Sequence, residues 1–137
     1  MIEPKWITVA IATAIHDETI YEFGGLPGVH DRGLLESALD PPRNLLAYEP
    51  AYSLFKLAAA LCFGIAKNHA FNDGNKRTAL LATRAFLFLN NHALEPRQDD
   101  EVATLVAVAD GSLDEARLEV WLARNSSPID KTGSGQT

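Results

Sequence analysis

The sequence predicts an all-α fold, a bundle of about six helices in which two buried helices flank a central polar motif loop. Segments 51–66 and 78–89 are apolar on almost every side, which is typical of helices in the middle of a bundle. No alternating strand pattern extends beyond a few residues, and no internal repeat is present.

Composition indicates one globular domain, since 137 residues, 47% apolar and 22% charged, suffice to bury a single core. No apolar run of about 18 residues and no signal-peptide pattern is evident, so we expect neither a membrane span nor secretion. The lone cysteine, Cys62, suits a reducing cytoplasm. A net charge of −6 argues against direct nucleic-acid binding, which needs a basic face.

Two helices joined by a glycine-rich loop are expected in the first third of the chain. Apolar residues at helical spacing predict the first helix from about Pro4 to about Tyr21. The His-Asp-Glu run that begins at His16 falls on its polar side, where we expect a solvated face rather than a metal site. Residues 24–28 are glycine-rich helix breakers and are expected to form a loop. Asp31 is expected to cap a short helix that runs through Leu39, and residues 40–44 are expected to end it.

The two central helices are expected on either side of the motif loop. Length and alanine content favour helix over strand for the first, at 51–66. The second is expected to begin near Gly74 or Asn75 and to end at the asparagine pair 90–91.

The last part of the chain predicts two more helices and a tail. The first of these helices starts at Asp99 or Asp100 and ends at Gly111. Ser112 and Glu115 form a capping-box pattern for the second, which runs through about Arg124. The composition of residues 125–137 predicts a disordered tail. The residues of the last helix expected to face inward are Ala116, Val120 and Trp121.

The motif loop and the helix after it read His-Ala-Phe-Asn-Asp-Gly-Asn-Lys-Arg-Thr-Ala at residues 69–79. A loop that enters a helix at Gly74 and Asn75 presents unpaired backbone N–H groups and the positive end of the helix dipole, which is an anion site. Gly74 has no Cβ, so a phosphate could approach the backbone closely. Lys76 and Arg77 disfavour the helix by roughly some tenths of a kcal/mol each, which a bound anion would offset. These four residues are the predicted phosphate-binding set.

Two further residues of the loop suit catalysis. Asp73 offers a hard oxygen ligand of the kind that nucleotide-bound Mg²⁺ prefers. His69 belongs to the residue type that exchanges protons near neutral pH. Phe71 is expected to anchor the loop to the core, and Lys67 and Arg84 add to the local positive charge.

Alternatives to a phosphate site are open at this point. The same residues could be purely structural, as a helix end, an N-cap and a solvated first turn, although two cations at a helix N-terminus then lack a reason. A metal-hydrolase site would need further histidines at ligand spacing, whereas His30 and His92 are distant in sequence. A P-loop is excluded, because the lysine has no upstream glycine at the required distance and no preceding strand.

The motif resembles that of the Fic/Doc superfamily, whose general pattern is H-x-F-x-D/E-x-N-x-R. The resemblance extends from about His16 to about Arg124 and implies a Fic/Doc-type domain over residues 1–124. Segments 24–28, 33–39 and 86–90 are similar to stretches of the death-on-curing (Doc) branch.

Departures from the adenylyl-transferring pattern, H-P-F-x-x-G-N-G-R-x-x-R, favour one reaction within the superfamily. Here Ala70 replaces the proline, Lys76 the second glycine, and Leu80 the second arginine. Similarity to the Doc pattern, H-x-F-x-D-x-N-K-R, implies a protein Ser/Thr kinase-type transfer of phosphate from ATP bound in reversed orientation. An AMP transferase, or another nucleotide-dependent protein modifier, and a non-catalytic module that binds a nucleotide or a partner are the alternatives.

The resemblance also implies roles and partners. His69 would be the general base, and Asp73 would position Mg²⁺ or help orient the attacking group. The four residues after Asp73 would bind the phosphates of ATP. The loop over residues 24–32 would be a flap that holds an extended segment of the target. The implied target is elongation factor Tu, whose modification inhibits translation. The implied partner is the antitoxin of a type II toxin–antitoxin pair, which would lay an amphipathic helix into an apolar groove.

Overall fold

A computed structural model describes residues 3–49 and 52–130. The predicted all-α fold is confirmed, and no helix in these ranges is long and apolar enough to cross a lipid bilayer. The described residues form seven helices and two short strands: α1 (Val9–Phe23), α2 (Arg32–Leu39), α3 (Pro41–Tyr48), α4 (Leu54–Asn68), α5 (Asn75–Leu89), β1 (His92–Leu94), α6 (Gln98–Asp110), α7 (Glu115–Arg124) and β2 (Ser126–Pro128). The helix beyond the predicted six is α3, where the expected breaker residue Pro41 instead occupies the first turn.

Helix α4 is the middle of the bundle, as its apolar pattern predicts. Helices α2, α3, α5, α6 and α7 all pack against it. Its side chains Leu57, Leu61 and Ile65 are buried. Gly64 allows α2 to approach closely, because a Cβ atom there would lie 2.4 Å from the carbonyl oxygen of Ala38. This packing on all sides fixes the position of the C-terminal end of α4, where the motif loop begins.

Helix α5 packs along α4 and against α1. It begins at Asn75 and ends at Leu89, so the predicted bounds of the second central helix are confirmed. Its buried residues include Phe86 and Leu87. The motif loop, residues 69–74, therefore lies between two buried helices, with α1 beside the start of α5.

Side-chain caps explain where several helices begin. The first helix starts at Val9 rather than at Pro4, because the hydroxyl of Thr8 accepts from the backbone N–H of Ile11. Asp31 caps α2 as predicted. The predicted capping box of α7 is wrong. Asp114 caps this helix, whereas the Ser112 N–H is bonded to Asp110 in the preceding turn.

The predicted inward face of α7 is also wrong in part. Leu118 and Leu122 are buried, whereas Ala116 and Val120 are exposed. Both pairs have the same i, i+4 spacing, so the pattern alone does not choose between them. The leucines remove more apolar area from water, and they form the face that enters the core. Trp121 is half-buried, and its Nε1 donates to Asp100 at 2.8 Å.

Strands β1 and β2 pair antiparallel, with His92 opposite Pro128 and Leu94 opposite Ser126. Strand β2 lies in the segment whose composition predicts a disordered tail. Its backbone pairs with β1 there, a long-range partner that composition does not reveal. Residues 131–137 of the predicted tail lie outside the described residues.

Candidate active site

Two left-handed residues bracket the motif loop. His69 ends α4 with φ 52° and ψ 43°, and Gly74 precedes α5 with φ 73° and ψ 19°. Between them Ala70 and Phe71 are buried, whereas Asn72 and Asp73 are exposed. Left-handed backbone is unfavourable for a residue with a Cβ, so His69 is held in a strained conformation at the exposed end of α4.

Phe71 is 2% exposed, which confirms that it is buried as the predicted anchor of the loop. Its backbone N–H donates to Oδ1 of Asn75 at 3.1 Å, and its carbonyl accepts from Nδ2 of Asn75 at 3.0 Å. The side chain of Asn75 therefore closes the loop. The backbone N–H of Asn75, which the phosphate prediction invokes, donates no hydrogen bond within the described residues.

Gly74 also has a structural role in the loop, beside the predicted phosphate-binding one. A Cβ atom there would point at α1, at 3.4 Å from Cδ1 of Ile20 and 3.6 Å from Cγ2 of Thr19. These are ordinary van der Waals distances, so the positive φ of 73° is what favours glycine here. The glycine opens no space in that direction for a ligand.

The first turn of α5 is an uncapped helix N-terminus. Gly74 offers no side-chain acceptor, and within the described chain the N–H groups of residues 75–77 make no hydrogen bond. Lys76 and Arg77 are exposed on the same turn. Free N–H groups, the helix dipole and two cations are together suited to binding phosphate oxygens.

The cations that are near the motif in sequence do not all lie at this turn. The guanidinium of Arg77 lies 3.8 Å from the ring centroid of Phe23, at the end of α1. Arg84 instead forms an ion pair with Glu101 and donates to the carbonyl of Leu94. Lys67 lies over the ring of Phe63. The local positive charge of the site therefore comes from Lys76 and Arg77.

Asp73 presents an exposed carboxylate next to this turn. Its Oδ1 accepts from the N–H of Gly74 at 2.9 Å, and its Oδ2 accepts a long bond from the N–H of Leu26 at 3.4 Å. Both oxygens keep further lone pairs, so the carboxylate can still bind a cation. In the described residues no group of three or more His, Cys, Asp or Glu could hold a metal ion by itself.

The glycine-rich loop between α1 and α2 lies against the motif loop. Val29 forms an isolated antiparallel bridge with Phe71. The N–H of His30 donates to the carbonyl of Ala70 at 2.8 Å, and the N–H of Asn72 donates to the carbonyl of Gly28 at 3.2 Å. The backbone of the predicted flap is thus hydrogen bonded along one edge to the motif loop, which holds the flap beside the site.

Sequence reasoning missed His16, which was expected on a solvated face. It is 1% exposed, its Nε2 lies 2.7 Å from the backbone carbonyl oxygen of Asp73, and its ring stacks on Phe71. Ala12 and Thr19, at i−4 and i+3, are buried on the same face of α1. These two small residues were the available signal that this face packs closely.

Sequence comparison finds relatives of this chain and a matching family model. Over 112 residues the chain is 37% identical to Protein kinase doc of Escherichia phage P1, covering 81% of this chain and 87% of the relative. Over 103 residues it is 39% identical to Toxin Doc of Mycolicibacterium smegmatis, covering 72% of this chain and 79% of the relative. Residues 6–87 match the family model described as the Fic/DOC family. The chain therefore belongs to the Fic/DOC family.

Proposed function

We propose that the protein is a Doc-like toxin that transfers the γ-phosphate of ATP to a hydroxyl group of a protein target. The observation that carries the proposal is the uncapped first turn of α5, which continues directly from the loop that bears His69 and Asp73. Phosphoryl transfer relies on positioning and on charge stabilisation, and this turn offers both. One relative is named a protein kinase and the other a toxin, which supports the same function.

Each residue of the site has a role in this proposal. His69 removes the proton from the attacking hydroxyl as general base. The backbone N–H groups of residues 75–77 bind phosphate oxygens, and Lys76 and Arg77 offset the negative charge that the transferring group carries. Asn75 and Phe71 keep the loop in the shape that presents these groups.

The site fits a nucleotide with Mg²⁺. Such an ion takes one or two protein carboxylates and completes its shell with phosphate oxygens and water. Asp73 supplies one carboxylate, exposed and with lone pairs remaining. When bound, the ion would neutralise part of the charge of the phosphates, and Asp73 would hold it beside the first turn of α5.

The flap favours the interpretation that the phosphate acceptor is a protein rather than a small molecule. An extended target segment would pair with the flap through main-chain hydrogen bonds. Leu26 is 61% exposed on this flap, which leaves an apolar side chain for such a segment. The target that we propose is elongation factor Tu, so that modification inhibits translation in the cytoplasm. An antitoxin is the proposed inhibitor.

The test is transfer of label from γ-labelled Mg-ATP to purified elongation factor Tu. We expect labelling by the wild-type protein and none by His69→Ala. His92→Ala is the matched control, since His92 lies in β1 and is expected to leave labelling intact. A second reaction uses a cell lysate as acceptor. Labelling of another protein in the lysate, with none of elongation factor Tu, would reject the proposed target. Absence of labelled protein in any acceptor mixture would reject the kinase activity.

A further inference from the structure

His16 in the middle of α1 is buried under the motif loop and contacts it at Phe71 and at Asp73. Its ring is nearly parallel to that of Phe71, at 7°, with centroids 4.0 Å apart. Its Nε2 lies 2.7 Å from the backbone oxygen of Asp73. A Cβ atom on Gly74 would lie 3.8 Å from its Cδ2. A helix 57 residues away in sequence thus reaches the loop through one side chain.

The contact with Asp73 determines where the imidazole carries its proton. A carbonyl oxygen only accepts, so Nε2 must bear a hydrogen and donate it. The accepting oxygen belongs to the planar peptide group that joins Asp73 to Gly74. The N–H of the same peptide group donates to Oδ1 of Asp73. The bond from His16 therefore fixes the peptide group that in turn orients the carboxylate.

An imidazole that only filled space would be a poor choice at this position. Burial of a polar group costs free energy unless the group is hydrogen bonded, and a leucine or phenylalanine would fill the volume without that cost. Gly74 also leaves its peptide group unusually free to rotate, because glycine populates many backbone conformations. A donor at this carbonyl removes that freedom.

We propose that His16 is a positioning residue for phosphoryl transfer. Its Nε2–H holds the Asp73–Gly74 peptide group, and this keeps the Asp73 carboxylate and the first turn of α5 in the orientation that phosphate requires. The catalytic consequence rests on the proposed function, whereas the structural part does not.

The structural part is tested on the wild-type protein without any activity. Long-range ¹H–¹⁵N correlation spectra of the His16 ring show which nitrogen carries a hydrogen. We expect a hydrogen on Nε2. A neutral tautomer with its hydrogen on Nδ1 only would overturn the proposal.

Three variants test the catalytic part. His16→Phe keeps the stacked ring and removes the donor, whereas His16→Gln keeps a donor at similar reach. Thr19→Val is the control, since it removes a buried hydrogen bond to Ile15 on the same face of α1 and keeps the methyl group. We expect kcat to fall by up to about 100-fold in His16→Phe with a smaller change in KM for ATP, because misplacement of catalytic groups affects mainly the chemical step. His16→Gln should recover most of the rate, and Thr19→Val should resemble the wild type.

The backbone amide signal of Gly74 separates failure of this inference from failure of the proposed function. We expect one sharp signal in the wild type and in His16→Gln, and a broadened or doubled signal in His16→Phe. A wild-type kcat together with a wild-type Gly74 signal in His16→Phe would overturn the proposal. If the wild type transfers no phosphate, the function fails while the tautomer and the Gly74 signal still decide the role of His16. If His16→Phe does not fold, the tautomer and His16→Gln decide it.

Discussion

The side-chain amide of Asn75 is hydrogen bonded in both directions to the backbone of Phe71, at 3.1 Å to the N–H and at 3.0 Å to the carbonyl. This pair of bonds closes the motif loop on itself four residues apart in sequence. Because Phe71 is also buried, the loop is tied to the core and to the first residue of α5 at the same point. The exposed carboxylate of Asp73 is thereby held on a short loop beside the uncapped first turn of α5.

Asn75→Ala should lower the free energy of unfolding by about 1–3 kcal/mol, because it leaves both backbone groups of Phe71 without their partner. The measurement is urea denaturation at neutral pH. Asn68→Ala is the matched control, since the Asn68 amide donates one bond, to the carbonyl of Leu34, in an exposed position. We expect a loss below about 1 kcal/mol there. Equal losses in the two variants would mean that the pair of hydrogen bonds to Phe71 stabilises the protein no more than one exposed hydrogen bond does.

Gly25→Ala should impair the Asp73 site more than Gly24→Ala does. Both glycines have positive φ, 121° at Gly25 and 81° at Gly24, so each variant is expected to lose about 1–3 kcal/mol of stability through backbone strain. An added Cβ at Gly25 would lie 2.9 Å from Oδ2 of Asp73, whereas at Gly24 it would meet nothing within 4 Å.

The measurement for this pair is the rate of phosphate transfer at a temperature where both variants are folded. We expect a clear loss in Gly25→Ala and a rate near that of the wild type in Gly24→Ala. Equal rates in both variants would show that the contact between the flap and Asp73 is unimportant for the reaction.

His69→Ala should abolish toxicity as well as transfer. Loss of a general base typically lowers the rate by about 10²–10⁴-fold, so we expect the variant to lose its growth inhibition. The measurement is colony growth during expression of the wild-type chain, His69→Ala or His92→Ala, with soluble protein levels matched. If His69→Ala harms cells as much as the wild type, the assignment of the base is wrong.

Stability at high pH should depend on Cys62. Burial raises the pKa of its thiol from the ordinary 9.0 to about 11, while a hydrogen bond with Thr83 acts in the opposite direction. Above pH 9 the unfolded chain loses this proton before the folded protein does, so the free energy of unfolding falls as pH rises toward 11. Each unit of pKa difference corresponds to about 1.4 kcal/mol.

The check is urea denaturation of the wild type and of Cys62→Ala over this alkaline range. Cys62→Ala should show a shallower decline of stability with pH, although it starts from a lower value because it leaves a cavity. Parallel declines in the two proteins would contradict the raised pKa of the thiol.

Local signals were sufficient for much of the fold. The all-round apolar pattern identified α4 and α5, Asp31 identified the start of α2, and Gly111 identified the end of α6. Each of these features acts through neighbours in the sequence, by capping or by burial of a whole helix. The motif loop was found for the same reason, since its residues are contiguous.

Features that depend on distant partners were not predictable. His16 is polar and stands next to two acids, and only contact with a loop far along the chain makes it a buried donor. The choice of Leu118 and Leu122 as the inner face of α7 depends on how that helix meets α4. Strand β2 exists because β1 is there to pair with it. The bonds of the Asn75 side chain to Phe71 were missed because they cannot be inferred from residue type alone.

The most direct measurement on this protein uses two samples of Mg-ATP, one labelled at the α-phosphate and one at the γ-phosphate, with elongation factor Tu as acceptor. Our proposal that the terminal phosphate is transferred rests on Lys76, which stands where the adenylyl-transferring pattern has glycine. We expect label in the acceptor only from the γ-labelled sample, and none when His69→Ala replaces the wild type. Label that reaches the acceptor from the α position would contradict phosphoryl transfer and would identify the protein as a nucleotidyl transferase.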